Sequence, residues 1–253
     1  MVDIKKILTM SEIELQKLII RTAKKAGLLI INCSEYIICY SNETRLTLCS
    51  HWDTVLDIPK RITEVNDFIF SGIGLGADDK AGVYIMLSLM EQMPESFHFA
   101  FFNHEETGMI GSSMFTKLHK ELPFNTGGFI GLDRHGDKQF VTYGQGNKKL
   151  EKKLGNEYKK ETGSCSDCKK LSKEYSLAMV NISVGFYNEH TTEEYLDLIA
   201  MNRTLNLVRD KLADCSVTYM ITEKEAFDYN KWRSSYKYND DSNLNEYYNN
   251  FGG

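Results

Sequence analysis

FHFAFFNHEETG, residues 97–108, opens with five apolar residues in six positions and closes on two adjacent carboxylates and a glycine. A run this short and this apolar, made of Phe97, Phe99, Ala100, Phe101 and Phe102, reads as a strand buried in the middle of a sheet. Glu105 and Glu106 then pose a problem. Taking a carboxylate out of water costs several kcal/mol unless a partner compensates it.

Upstream, Ser11 and Glu14 form a capping box, and Leu15, Leu18, Ile19 and Ala23 share one face of a helix that ends at Gly27. LLIINC, EYIICYS and RLTLCSH read as three strands, the last two joined by Ser41, Asn42 and Glu43, and DFIFSG reads as a short fourth. DKAGVYIMLSLMEQM carries helical periodicity from Asp79 and stops before Pro94. Downstream, SSMFTKLHKEL predicts a helix, GGFIGLD and KQFVTYG strands, and the Lys/Glu-rich stretch 147–162 an exposed helix. SDCKKLSKEY predicts a short helix, AMVNISVGF a strand, and Thr192 to about Leu212 a long helix.

Strands alternating with helices predict a three-layer α/β/α fold around a mixed, largely parallel sheet. We expect one domain over residues 1–228 and a polar, Asn/Tyr-rich, loosely held tail over 229–253.

Composition excludes several classes. With 253 residues, 42% of them apolar, the chain can bury a substantial core. A net charge of −5 with no Lys/Arg-rich run argues against a nucleic-acid surface. No apolar run approaches the roughly 20 residues of a membrane span, and MVDIKKILTM lacks the apolar core of a signal peptide, so the expected compartment is the cytoplasm. The six cysteines read as reduced thiols. Cys165 and Cys168 form a lone C-x-x-C, poor grounds for a zinc knuckle or a redox pair.

Several ionisable residues follow apolar strands. His51 and Asp53 follow RLTLCS, Asp78 and Asp79 follow FIFSGIGLGA, Glu105 and Glu106 follow FHFAFFN, Asp133 ends GGFIGL, and His190 follows NISVGFYNE. Ligands of open α/β sheets collect beyond the carboxyl ends of the strands, where parallel neighbours would bring these residues together. So many carboxylates would repel one another unless divalent cations sat among them. Two histidines with several carboxylates suit zinc, with manganese or cobalt as alternatives, and a carboxylate-bridged pair of ions makes a hydrolytic centre. In that frame one glutamate ligates a metal and its neighbour handles the proton of the attacking water.

HWDTV, GADDKAG, NHEETG, GLD and YNEHT, in this order between residue 45 and about 200, resemble the di-zinc exopeptidase clan of aminopeptidases, tripeptidases and carboxypeptidases. The resemblance implies a zinc-peptidase catalytic domain of the phosphorylase/hydrolase-like fold. It implies His51 and Asp133 on the first ion, Glu106 and His190 on the second, and Asp78 between them. Asp53 would orient His51, Glu105 would be the general base, and Asp79 would cap the following helix instead of ligating. Five of these carboxylates (Asp53, Asp78, Glu105, Glu106 and Asp133) match the chain's net charge of −5, most of which two dications would cancel.

Only 56 residues separate Asp133 from His190, too few for the lid domain that many of these relatives insert there. That favours a single-domain aminopeptidase acting on peptides. GSCSDC resembles a Ser-Asp-His stretch of that group through Ser166 and Asp167, with Cys168 in place of the histidine.

Blander readings stand beside these. GIGLGA matches a dinucleotide fingerprint, but Asp78 and Asp79 would oppose a pyrophosphate there. His104 starts a broken H-E-x-x-H motif and reads as a flank of the glutamate pair, while His98, His119 and His135 read as structural or exposed. Two alternatives to an aminopeptidase remain: a related amidohydrolase that deacylates N-acyl amino acids or cell-wall peptides, and an inactive metal-bound scaffold. Retention of Glu105 and Asp53 speaks against the scaffold. Oligomeric state, side-chain preference and oxyanion donor stay open, with Tyr143 or a backbone N–H as candidates for the last.

Overall fold

The computed structural model describes residues 2–213 and 216–222, so Cys215 and the tail expected over 229–253 lie outside the described residues. The chain begins with α1 (Ile4–Leu8) and α2 (Glu12–Lys25), the latter carrying the expected capping box between Ser11 and Glu14. β1 (Leu29–Asn32), β2 (Tyr36–Tyr40) and β3 (Arg45–His51) follow, then two short strands, β4 (Thr63–Val65) and β5 (Phe68–Phe70). α3 (Ala77–Gln92), β6 (Phe97–Phe102), α4 (Ile110–Leu118) and β7 (Thr126–Arg134) complete the first half of the layered core. β8 (Gln139–Val141), α5 (Lys148–Lys152), β9 (Lys159–Glu161), α6 (Asp167–Tyr175) and β10 (Met179–Ser183) extend it. β11 (Phe186–Tyr187), β12 (Tyr195–Asp197) and α7 (Leu198–Leu207) are the last strands and α-helix among the described residues, with a π-helical turn at Val208–Leu212.

Eight strands form the central sheet in the order β1-β2-β6-β3-β7-β10-β8-β9. β6, β3, β7 and β10 run parallel at its centre, flanked by antiparallel pairings of β2 with β6 and of β8 with β10. β2 and β3 are thus not a hairpin, since β6 lies between them. All six residues of β6 are buried, as the opening stretch demands. Side chains alternate across the sheet. Phe97, Phe99, Phe101, Leu46, Leu48, Ile130 and Leu132 pack in one core with α1, α2 and α3. Phe102, Ala100, Cys49 and Phe129 pack in the other with Phe115 of α4 and Leu171 of α6.

A second, antiparallel sheet has the order β11-β12-β5-β4. The stretch DFIFSG belongs to it and not to the central sheet. Gly185, at φ +94, turns the chain from β10 into β11 against the carbonyl of Asp197, where a Cβ would stand 2.7 Å away.

Two expected helices are shorter than their sequences suggest. Within 147–162 only Lys148–Lys152 is helical, and Lys159–Glu161 is an exposed edge strand. Charged residues suit a solvated helix and a protected sheet edge equally well. The last helix starts at Leu198 and not at Thr192, because Asp197 caps it by accepting the N–H groups of Ile199 and Ala200. The residues between Asp133 and His190 build β8, α5, β9, α6, β10 and β11, and no lid domain is inserted among them.

Candidate metal centre

β3 ends at His51 and pairs there with Phe102, so the turn carrying Glu105 and Glu106 leaves β6 beside the imidazole. β7, on the other side of β3, delivers Asp133 near its own end. The loop before α3 supplies Asp78, and the loop between β11 and β12 supplies His190. Glu105, Glu106, Asp78, Asp133 and His190 line one cleft of about 170 Å³. His51, 2% exposed, has its Nε2 beside Asp78 and Asp133 of this cleft, and Asp53 stands at its Nδ1.

Asp78 stands between the two histidines. Its Oδ1 is 3.3 Å from His51 Nε2 and its Oδ2 is 3.2 Å from His190 Nε2. Asp133 Oδ1 lies 3.7 Å from His51 Nε2, and Glu106 Oε1 lies 2.9 Å from His190 Nε2. Two donors each about 2.1 Å from one tetrahedral zinc stand roughly 3.4 Å apart, so these separations fit a pair of cation sites sharing Asp78. Asp78 Oδ1 is also buried without a hydrogen-bond partner among the described residues. The donor set is hard and borderline, carboxylate oxygen with imidazole nitrogen, as zinc or manganese would require.

Asp79 comes within reach of His51 and Asp133, but both its oxygens are engaged. One accepts the N–H of Gly82 at 3.1 Å and the other the hydroxyl of Ser50 at 2.5 Å, so Asp79 caps α3. Gly82 permits this arrangement, since a Cβ there would strike the Leu132 carbonyl. Helical backbone begins only after Asp79, because Asp78 and Asp79, joined by a cis peptide bond, have non-helical angles.

Supporting contacts fix the donors. His51 Nδ1 lies 3.1 Å from the Asp53 carbonyl and 3.3 Å from its carboxylate, which directs Nε2 at the cleft. The Asp53 carboxylate also accepts the N–H groups of Glu105 and Glu106 at 3.2 Å each, so it orients the histidine and the glutamate turn together. Ser166 caps α6 and donates its hydroxyl to Asp133 at 3.3 Å. The glycine-rich loop that resembles a nucleotide cradle already holds an anion: the buried Glu194 carboxylate accepts N–H bonds from Leu75, Gly76 and Asp78. Sequence reading missed Glu194. The only available signal was the loop itself, whose exposed N–H groups call for an anion.

Charge crowding shifts the ionisable groups of the site away from their ordinary values. Burial, with repulsion from Asp133, Asp167 and Glu106, raises Glu105 to about 8. Burial and the neighbouring Asp78 raise Glu106 to about 7. Burial also pushes Asp167 up to about 7. Asp78 moves the other way, to about 2, because the nearby imidazoles of His190 and His51 outweigh its burial. His190 rises to about 9 through its bond to Asp78. For His51, burial opposes protonation, but Asp133, Asp53 and Asp78 together hold it well above its usual value.

The other histidines sit apart from this donor cluster. His104 turns away to Glu35, and His98 is fully buried beside Phe124. His119 packs on Phe115. His135 lines the cleft wall, paired with Glu189 at 2.7 Å. Cys165 also reaches the cleft, whereas Cys168 is buried in the first turn of α6, so the two do not act as one ligand pair. A larger groove, about 510 Å³ between Phe68, Phe70 and Tyr195, is also lined by Glu194.

A model of peptidase family M28 matches residues 37–176. That span includes His51, Asp53, Asp78, Glu105, Glu106 and Asp133 and stops short of His190. No curated protein matches the chain in sequence. Among solved structures the chain resembles aminopeptidase PepT from Bacillus cereus ATCC 10987, at 15% identity and a TM-score of 0.67, covering 83% of this chain and 96% of that one. It resembles a tripeptidase from Staphylococcus aureus at 14% identity and a TM-score of 0.67, covering 83% and 95% respectively. The TET1 peptidase of Pyrococcus horikoshii is similar at 14% identity and a TM-score of 0.59, covering 76% and 91%. At these identities the likeness to solved structures speaks for the fold.

Proposed function

The chain belongs to peptidase family M28, whose model spans more than half of it, and from its character as a metal-dependent exopeptidase we propose that it is an aminopeptidase working with two divalent cations. The observation that carries this reading is Asp78, each of whose oxygens faces a different histidine across a cleft that also contains Glu105. His51 and Asp133 would hold one ion, His190 and Glu106 the other, with Asp78 shared. When bound, such a pair polarises the scissile carbonyl and lowers the pKa of the attacking water.

The chain's own groups do the rest. Asp53 keeps His51 in the tautomer that presents Nε2. Glu105, held over the cleft by the N–H bond from its own backbone to Asp53, takes the proton of the attacking water and passes it to the leaving amine. No lid domain stands between Asp133 and His190, which is the reason for preferring an aminopeptidase to the lidded members of the clan. The aminopeptidase and tripeptidase names of the structural relatives agree with that preference.

The test is metal content beside turnover of aminoacyl anilides and their N-blocked counterparts. We expect two equivalents of zinc or manganese, turnover of the free-amine substrates, and little turnover of the blocked ones. Glu105→Gln should keep its metal and lose roughly 10²–10⁴-fold in kcat. Near-normal activity in that variant would remove Glu105 as the base, and a preference for blocked substrates would move the protein to the deacylases.

A further inference from the structure

The cleft lined by the two glutamates is also lined by Tyr143, the first residue of the turn that follows β8. Its backbone lies in the left-handed region, at φ +50, a conformation that a bulky side chain adopts only when its surroundings hold it. Several contacts do so. The ring passes directly over Gly163, where a Cβ would stand 2.7 Å from Tyr143 Cε1. The Lys169 ammonium sits 5.3 Å from the ring centroid. At the tip, the hydroxyl accepts a hydrogen bond from Asn181 Nδ2 at 3.1 Å.

Asn181 itself has no freedom. It is fully buried, its Oδ1 accepts the Asp133 N–H at 3.1 Å, and its Nδ2 donates to the Asp133 carbonyl at 2.9 Å. Oδ1 must therefore face the N–H, which fixes the amide's orientation and makes Nδ2 the donor to Tyr143. With its acceptor side taken by Asn181, the phenol has its own proton left to give. Among the described residues no acceptor takes that proton.

Most other donors at this cleft are engaged. Arg134 Nη2 is bonded to Glu161 at 3.0 Å, His135 to Glu189 at 2.7 Å, and Lys169 to the Ser164 carbonyl at 2.7 Å; the Arg134 Nε–H, buried without a partner among the described residues, is a charged donor. Tyr143 is thus a neutral donor at this cleft with an uncommitted hydrogen, and unlike the exposed Ser164–Cys165 pair it is held in place by a buried partner. It is locked through Asn181 to the backbone of a residue assigned above as a cation ligand.

Resting on the peptidase reading, we infer that Tyr143 is a catalytic residue, donating a hydrogen bond to the oxygen that becomes negative as water adds to the scissile carbonyl. No proton is transferred; the phenol keeps it throughout. A donor aimed at charge that develops only in the transition state lowers the barrier and leaves ground-state binding nearly unchanged.

The experiment uses the metal-loaded full chain. Tyr143→Phe keeps the ring over Gly163 and removes only the hydroxyl. It should lower kcat on an aminoacyl anilide by about 10²–10³-fold, with KM within about threefold and metal content unchanged. Calorimetric affinity for a phosphinic dipeptide analogue, whose tetrahedral centre carries the negative oxygen, should fall by a comparable factor, while affinity for the free amino acid product stays constant. Gly163→Ala, which displaces the ring and keeps the hydroxyl, should lose both quantities in part. An active wild type whose Tyr143→Phe form stays within threefold in kcat and in analogue affinity would overturn this role alone. A wild type inert toward free-amine and blocked substrates would overturn the peptidase reading and this role with it.

Discussion

His51 is 2% exposed and stands at the end of β3 with parallel strands on both sides, whereas the side chain of His190 is 47% exposed and sits at φ +63 on the loop between β11 and β12. The first is oriented by the register of the sheet: once β3 pairs with β6 and β7, the imidazole, Asp133 and the glutamate turn arrive together. The second has no sheet to place it and depends on local bonds. Thr191 donates to the Asn188 carbonyl, Glu193 donates its N–H to Thr191, and Glu194 ties the loop to the backbone that carries Asp78. One half of the centre is therefore a product of folding, and the other is a product of a loop docked against that fold.

The largest effect expected from this contrast is on stability. His51→Ala would leave Asp53, Asp78 and Asp133 buried without their shared partner, a loss of about 3–5 kcal/mol by analogy with other broken buried pairs. His190→Ala removes a partly solvated contact and should cost under about 1 kcal/mol. Urea unfolding of the metal-free variants near pH 6 measures both. Equal losses would dissolve the distinction between a sheet-built and a loop-built half.

Metal removal should also expose a pH dependence. Glu105, at about 8, and Glu106 and Asp167, at about 7, hold protons in the folded state that the unfolded chain releases near the usual carboxylate values. Their folded-state protonation favours the fold at low pH, and stability falls as pH rises from about 4.5 toward 8. His190, raised to about 9, acts in the same direction: its contribution is complete below its usual value and is lost as pH climbs through 9. Asp78, depressed to about 2, contributes fully throughout this window and does not tilt it. The chelated protein should therefore melt at a lower temperature at pH 8 than at pH 5.5, and saturating zinc should flatten that slope. A melting temperature that rises with pH in the chelated protein would contradict the crowding of these carboxylates.

The same contrast governs what the sequence makes legible. β3, β6 and β7 are short apolar runs ending in ionisable residues, so their type, burial and chemistry can be read together from RLTLCSH, FHFAFFN and GGFIGLD. The capping box at Ser11 and Glu14 is equally local and equally readable. What escapes is whatever depends on partners distant in sequence. β4 and β12 are three residues each and exist as strands only because of their pairing, β4 with β5 and β12 with both β5 and β11. TTEE before Tyr195 has the composition of a first helical turn, yet it belongs to the His190 loop, because Glu194 finds the N–H groups of a loop 116–119 residues away. Lys159–Glu161 becomes a strand only by lying along β8.

Glu194 supplies the smallest and most discriminating prediction. One carboxylate oxygen accepts from both Leu75 and Gly76, and the other from Asp78. Glu194→Gln keeps the volume but offers a single oxygen, so an NH₂ group must face at least one backbone N–H. The fold should survive, since β5, β12 and the central sheet do not depend on that side chain. The loop bearing His190 and the backbone of Asp78 should loosen together, and altered supporting contacts of this kind typically cost 10–100-fold in metal affinity. Because His51 is held from the opposite side by Asp53, the more weakly bound ion should show nearly all of the loss. Stepwise zinc titration against a competing chelator resolves the two affinities: a drop confined to the weaker step locates Glu194 in the loop-built half, and an equal drop in both would mean that Asp78 transmits the disturbance to the sheet-built half as well.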